Sequence, residues 1–282
     1  MLPDGLNQSN INRIIESAIA EDVGSGDITS LAVIPKNTTF RGNIVARESM
    51  VCAGLPLLEL IFPKFDKTIT YNCFVEDGMR VSAGTNLFLV EGPAVELLSA
   101  ERTAINLLQH LSGIATLTRQ YVDEISGTGA ILLDTRKTIP CLRELAKYAT
   151  RVGGAQNHRM SLDDGVLIKD NHIAVSGSIA GAVNRARAAG LDNVEVECDT
   201  LAEVEEAVKA NADVILLDNM DVLECAKAVK LIDGKVPTEA SGDIDLQTIR
   251  GIAETGVTYI SVGRLTHSAR AINIGLDWSN SS

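Results

Sequence analysis

After Gly129 the chain settles into a beat that few folds accommodate. Short runs rich in Val, Ile and Leu recur at 130–134, 165–169, 194–198, 214–218, 236–241 and 258–263, with helical stretches such as 179–189, 201–211 and 222–231 between them. Counted from the chemically interesting residue at or near the end of each run (134, 169, 197, 218, 241, 263), the steps are 35, 28, 21, 23 and 22 residues. A parallel strand pair needs a crossover of a dozen or more residues, so this spacing predicts consecutive βα units. Six such strands can close into a (β/α) barrel or lie as an open doubly wound sheet. Polar residues at the strand ends favour the α/β barrel of parallel strands, whose chemistry sits at the C-terminal rim, and the spacing leaves room for one missing or irregular strand.

The first half reads differently. Ile11, Ile14, Ile15, Ala18 and Ile19 recur at helical spacing, and the helix should stop before the turn-rich stretch 21–27. Residues 40–91 carry short β-like runs at 42–46, 67–75 and 86–90, punctuated by Asp77-Gly78 and Ala83-Gly84, so an α+β N-terminal domain precedes the barrel. A longer helical segment at 94–111 follows, with Leu97, Ala100, Ala104, Leu107, Leu108 and Leu111 on one stripe. Arg102 falls on the opposite face with Asn106 and Gln109, free to meet something other than its own core.

Charge and cysteine usage narrow the function classes. A formal charge of −12 has the wrong sign for a chain that neutralises nucleic-acid phosphates, and it argues against anionic membrane as a partner. The five cysteines are widely spaced, with no zinc-site pattern, which fits reduced thiols in the cytoplasm. The N-terminus lacks a basic start followed by an apolar run, and no stretch reaches the ~18 apolar residues of a membrane helix.

Against that acidic background, residues 135–162 hold six basic residues and one acid. A basic pocket in an acidic body concentrates small anions and repels large polyanions. Arg143, Lys147 and Arg151 repeat at i, i+4 and i+8 and read more simply as a solvated helix face. Arg136-Lys137, directly after a buried-looking strand, and His158-Arg159, after Gly153-Gly154, lie off that face and suit carboxylates or phosphates.

Lys169 ends the run 166–168 and could be a Schiff-base nucleophile, a phosphate ligand or a snorkelling side chain. Glu197 and Asp218 end the next two strands; together they could hold Mg²⁺ through waters and substrate oxygens, accept hydrogen bonds from sugar hydroxyls, or be ion-paired rim acids. Ser241-Gly242 and Ser261-Val262-Gly263, followed by Thr266-His267, stand where barrels bind phosphate through backbone N–H groups. Signatures of P-loop kinases, Rossmann dehydrogenases, serine hydrolases and zinc proteases are all missing from the sequence. A rim that could hold a polycarboxylate, a phosphate and a Mg²⁺-bound hydroxylated group suits a phosphorylated sugar reacting with an acid.

Read in order, Asp134-Thr135-Arg136-Lys137-Thr138, Asn157-His158-Arg159, Leu167-Ile168-Lys169-Asp170-Asn171-His172, Val194-Glu195-Val196-Glu197 and Leu217-Asp218-Asn219 closely resemble the quinolinate phosphoribosyltransferase family. The likeness extends from Glu21-Asp22 through Glu101-Arg102-Thr103-Ala104 to Ser261-Val262-Gly263 and Thr266-His267-Ser268, nearly the whole chain. It implies a strand-rich α+β N-terminal domain at 1–112, an incomplete (β/α) barrel of parallel strands at 113–265 and a final segment, 266–282, returning to the first domain. It also implies the reaction: quinolinate and phosphoribosyl pyrophosphate give nicotinate mononucleotide, pyrophosphate and CO₂, with Mg²⁺, in NAD biosynthesis.

By the same resemblance Arg136, His158, Arg159 and Lys169 would bind the two carboxylates of quinolinate, with Thr135 beside them. Lys137 and Lys169 would contact the donor's phosphates. Glu197 and Asp218 would meet its ribose hydroxyls or, indirectly, Mg²⁺, and Lys137, Lys169, Glu197 and Asp218 would be the catalytic set. Ser241, Gly242, Asp243, Gly263 and His267 would line the 5′-phosphate end. Arg102 would reach in from a second subunit of a homodimer or of a hexamer.

Three positions depart from the family pattern: Cys141, Asp243 and Arg264. A carboxylate near a phosphate is repulsive unless compensated, so Asp243 and Arg264 are expected to pair across adjacent strand ends. Two other readings compete: a non-catalytic relative of the fold serving ligand binding or transport, and a Schiff-base aldolase built on Lys169.

Overall fold

The first helix begins where Asn7 offers its side chain to the backbone N–H of Asn10, satisfying a donor that the helix itself leaves open. In the computed structural model, which describes residues 2–279, this helix α1 (Gln8–Val23) buries Ile11, Ile14 and Ile15. It runs past Ile19 because Glu21 and Asp22 face solvent without disturbing the apolar stripe, and it ends only at Gly24, in the left-handed region at φ 55°. Helix α2 (Ile28–Val33) starts at Asp27, whose carboxylate accepts from the amides of Thr29 and Ser30.

The chain continues through β1 (Thr39–Ala46), β2 (Met50–Val51), α3 (Leu55–Phe65), β3 (Thr70–Cys73), β4 (Arg80–Val81) and β5 (Asn86–Pro93) to the long α4 (Ala94–Glu124). Next come β6 (Ile131–Leu133), α5 (Arg143–Gly153), β7 (Val166–Ile168), α6 (Asp170–Ser176), α7 (Ile179–Ala188), β8 (Val194–Cys198) and α8 (Leu201–Lys209). The remainder is β9 (Val214–Asp218), α9 (Val222–Ile232), β10 (Thr238–Ser241), α10 (Ile249–Ala253), β11 (Tyr259–Ser261), α11 (Arg264–His267) and β12 (Ile274–Trp278).

Two compact units share these elements. The first takes the residues up to Arg119, residues 139–153 and the described residues from Ser268 on. Its antiparallel sheet has the order β12-β1-β5-β3, so the last strand of the chain pairs with the first, Ala46 opposite Ile274 and Gly42 opposite Trp278. Phe88 of β5 is fully buried, stacked on Phe62 at 5.9 Å and on Tyr71 at 5.4 Å between ring centroids. Helix α4 packs through Leu97, Ala100, Ala104, Leu108 and Leu111. A Cβ on Gly113 would lie 2.0 Å from the carbonyl oxygen of Arg270, so glycine at that point admits the returning backbone.

Helix α5 joins this first unit although it stands in sequence between two barrel strands, because Leu145, Ala146 and Ala149 enter the same core. Its basic residues do not form the solvated face that their spacing suggests. Lys147 is fully buried, and Arg151 donates to the carbonyl of Asp4 at 2.8 Å while its guanidinium lies 6.0 Å from the centroid of the Tyr148 ring. An i, i+4, i+8 pattern marks one stripe of a helix and is silent about which side of the stripe meets water.

The second unit, residues 120–138 and 154–267, is the parallel α/β part. Its six strands run in the order β6-β11-β10-β9-β8-β7, all parallel. First and last in chain sequence pair with each other through β11 and β6, which is the cyclic order of a barrel with a seam between β6 and β7. At that seam the only extended contact among the described residues is a bridge between Leu133 and Gln156. Capping boxes at Thr200/Glu203 and Asp221/Glu224 start α8 and α9 immediately after their strands, so each strand's last residues stay at the rim.

Candidate active site

The rim of the second unit is organised from Asp134, which follows β6 and is fully buried. One carboxylate oxygen accepts from the backbone N–H of His158 at 3.0 Å and the other from the side-chain amide of Asn157 at 2.5 Å. With the Gln156 amide bonded to the Leu132 carbonyl at 2.9 Å, this ties residues 156–158 to the end of β6 and presents His158 and Arg159 there. Arg159 donates to the Gly165 carbonyl at 3.1 Å. Burial, together with the charge of Arg136, lowers the pKa of Arg159 from its ordinary value. The two guanidinium groups therefore lie close enough to repel, an arrangement that an anion between them relieves.

After Asp134 the chain turns sharply. The Thr135 hydroxyl accepts from the Lys137 amide at 3.0 Å, and the Lys137 carbonyl accepts from the Thr266 hydroxyl at 2.8 Å. A side chain on Gly263 would meet Lys137 Cδ at 3.0 Å and His267 Nε2 at 3.2 Å, so the absence of one lets these two side chains share the end of β11. Gly242, at the end of β10, has φ 95°, and a Cβ there would sit 2.2 Å from the Asn219 side-chain oxygen and 2.7 Å from its backbone nitrogen. The Ser241 carbonyl accepts from that same Asn219 nitrogen at 2.9 Å. Asp243 and Arg264 do pair, Nη2 to Oδ1 at 3.5 Å, with the carboxylate almost wholly exposed.

Lys169, at the end of β7, is in ion-pair contact with Glu197 on the neighbouring β8. Glu197 is buried whereas the lysine is half exposed, so the pair opens toward solvent at its cationic end. Burial, then the carboxylates of Glu197 and Asp199, push the Asp218 carboxyl above the usual range; Lys169 and Lys137 pull it back only in part. Glu197, Asp199 and Asp218 are thus a crowded set of oxygen donors with too little positive charge of their own.

Sequence reasoning passed over two further carboxylates. Nε2 of His158 lies 3.2 Å from Glu195 on β8 and 3.4 Å from Glu239 on β10, and both acids are buried. The available signal was the period-two alternation of Val194-Glu195-Val196-Glu197 and Thr238-Glu239-Ala240-Ser241, which puts each overlooked acid on the same strand face as a rim residue. Arg102 belongs to the first unit, is exposed, and donates to its neighbour Glu101 at 3.1 Å.

The family model for the C-terminal domain of quinolinate phosphoribosyl transferase matches residues 114–277, and that for the N-terminal domain matches residues 27–112. The chain belongs to the quinolinate phosphoribosyltransferase family. A nicotinate-nucleotide pyrophosphorylase [carboxylating] of Mycobacterium leprae is 44% identical over 93% of this chain and 95% of its own length. A probable enzyme of the same name from Bacillus subtilis is 40% identical over 96% and 94%. Among solved structures, the nicotinate-nucleotide pyrophosphorylase of Ehrlichia chaffeensis superimposes with a TM-score of 0.93 at 42% identity, over 97% of this chain and 99% of that one. Family membership agrees with the parallel α/β unit and the strand-rich antiparallel unit, and it selects phosphoryl-sugar chemistry over the aldolase reading of Lys169.

Proposed function

We propose that this chain transfers the phosphoribosyl group of phosphoribosyl pyrophosphate to quinolinate with decarboxylation, as its family name states. The bond from the pyridine nitrogen to the anomeric carbon forms as the bond from that carbon to pyrophosphate breaks. A carboxylate then leaves as CO₂, its electron pair remains on the ring and is taken up by a proton, and nicotinate mononucleotide results. The cationic ring nitrogen created in the first step favours the second.

The observation that carries this reading is the ion pair of Lys169 with Glu197, which joins a basic group to an acidic one at a single rim. On the basic side Arg136, His158, Arg159 and Lys169, with Thr135 beside them, orient the diacid; fixing the reacting nitrogen near the sugar replaces a bimolecular encounter with a positioned one. Across from them Glu197 and Asp218 face the positive charge that develops on the sugar, where a fixed carboxylate in a poorly solvated site is most effective. Lys137 and Lys169 take the donor's phosphates, and Ser241, Gly242, Gly263 and His267 its 5′-phosphate, with Asp243 neutralised by Arg264.

Glu197 and Asp218 fit Mg²⁺: they are oxygen donors, and a divalent cation relieves the repulsion that pushes Asp218 up. When bound, it would supply charge neutralisation for the leaving pyrophosphate. Arg102 completes the site of a second subunit in a homodimer, alone or within a hexamer. In support, Ile28, Leu31 and Val33 of α2 expose 79%, 67% and 71% of their surface, and α2 is joined to α4 through the contact of Asp27 with Ser99, one turn from Arg102. Among the described residues no helix is long and apolar enough to cross a membrane, and the cysteines are unpaired; we place the enzyme in the cytoplasm, with no nucleic-acid partner.

Release of pyrophosphate and CO₂ from the two substrates tests the reaction, and no release would leave the non-catalytic relative. Subunit mixing tests the shared site. Arg102→Ala and Arg136→Ala homodimers should each be inactive, and their mixture should recover part of the activity because each mixed dimer holds one intact site. No recovery after verified subunit exchange refutes the sharing.

A further inference from the structure

In the role proposed above His158 meets a carboxylate of the substrate, yet two buried glutamates of the chain itself, from different strands, also converge on its Nε2. One oxygen of each glutamate faces the ring, and the other, Oε1 in both, is buried without a hydrogen-bond partner among the described residues. Two acids so placed are costly unless something cationic holds them, because burial disfavours the ionised form. The imidazole reaches both acids, and Arg159 adds its charge at Glu195.

We propose that Glu195 and Glu239 are positioning residues that grip the Nε2 proton of His158, keep the ring charged and so hold it, with the adjoining Arg159, as a fixed cationic wall for the diacid. The idea rests on the reading of the site as a quinolinate site. The groups around the ring are Glu195 from β8, Glu239 from β10, Asp134 holding the His158 amide from the end of β6, and Arg159 beside it, which in turn feels Arg136.

Burial alone would make the imidazole harder to charge, but the hydrogen bonds and charges of Glu195 and Glu239 outweigh it and raise its pKa to about 10. On the far side of the ring, Nδ1 lies 2.8 Å from the Arg159 amide, an approach that suits a neutral ring. Burial pushes the Glu195 carboxyl up, His158 pulls it down and the adjoining Glu239 pushes it up again; the negative charge that the two acids together bring to Nε2 outweighs one amide dipole, so the charged ring prevails. The three donors also lie within 4.8 Å of one another, close enough to surround a cation. With its proton engaged by two oxygens, Nε2 has no lone pair to offer one.

Glutamine keeps the shape and removes the charge, so Glu239→Gln and Glu195→Gln isolate the effect. Histidine-labelled free enzyme gives the first readout by NMR, the chain having four histidines and the His158 signal being identified by its loss in His158→Asn. In the wild type that signal should stay in its charged position from pH 6 to 9; in either glutamine variant it should titrate within that range. The second readout is kcat/KM for quinolinate, which should be flat across pH 6.5–8.5 in the wild type apart from substrate ionisation. In the variants it should fall about tenfold over the same two units, as one proton per site is lost, while kcat at saturating quinolinate changes less. A wild-type His158 that titrates near its ordinary value overturns the proposal, even if neither variant folds. So does a variant whose profile and KM match the wild type. The NMR arm uses no substrate, so its failure is distinct from failure of the assigned reaction.

Discussion

Asp134 offers the sharpest check on how the rim is built, because one fully buried carboxylate holds the segment that carries His158 and Arg159. Replacing it with alanine strands two donors, the His158 amide and the Asn157 side chain, that had bonded at 3.0 and 2.5 Å. A hydrogen bond to an ionised acceptor contributes about 1.5–3 kcal/mol, so Asp134→Ala should lose about 4 kcal/mol. Asparagine differs in a way the geometry dictates. Its oxygen can keep the His158 amide, and Asn157, turned over, can present its own oxygen to the new NH₂ group. Asp134→Asn should therefore lose only about 1–2 kcal/mol, the difference between charged and neutral bonds. At about 2–4 °C per kcal/mol the alanine variant should melt about 8–16 °C early and the asparagine variant about 2–8 °C early. Thermal and urea unfolding measure both, and the quinolinate KM should rise more in alanine than in asparagine as His158 and Arg159 lose their anchor. Equal losses in the two variants, or a loss below about 1 kcal/mol in alanine, would refute the reasoning.

Two further perturbations probe the first unit. Alanine at Gly113 would normally strengthen a helix by up to about 1 kcal/mol, but its Cβ would lie 2.0 Å from the Arg270 carbonyl, so Gly113→Ala should destabilise by about 3 kcal/mol in urea unfolding; a stabilised variant would rule out the close approach. The Glu48 carboxyl is held down to about 2, first by its hydrogen bond from Arg270 and next by the Asn273 amide. A depressed folded-state pKa stabilises above the unfolded value of 4.5, and this contribution fades as pH falls toward 2. Glu48→Gln should accordingly cost less than about 1 kcal/mol at pH 7, given the exposure of the pair, and cost nothing near pH 2. A pH-independent difference would contradict the ion pair.

The barrel strands were legible because a buried parallel sheet demands continuous apolar runs at crossover spacing. Residues 194–198 and 214–218 are strands to the residue, and the other four runs contain a strand two or three residues shorter. Helix α4 proved longer than its expected span of 94–111, running on through Gly113, where the missing side chain admits another backbone. The helices α2 and α3 left little trace: one is six residues long with exposed apolar positions, and the other is apolar nearly all round and carries Pro63. At the site, the end-of-strand rule found Lys169, Glu197 and Asp218. It could not find Glu195 or Glu239, which sit one pleat deeper, where a charge reads as a flaw in an apolar run until a partner from another strand is seen.

The pairing of β12 with β1 has a consequence for synthesis. Arg47 and its partner Asp277 stand 230 positions apart, so on the ribosome β1 waits through translation of the whole barrel before its neighbour arrives. During that interval one edge of the nascent sheet offers unpaired backbone groups to any passing strand, a recognised route to misassembly. Completion of this sheet is thereby set by a segment made long after β1, and chaperone dependence should track that delay rather than the stability of the finished fold.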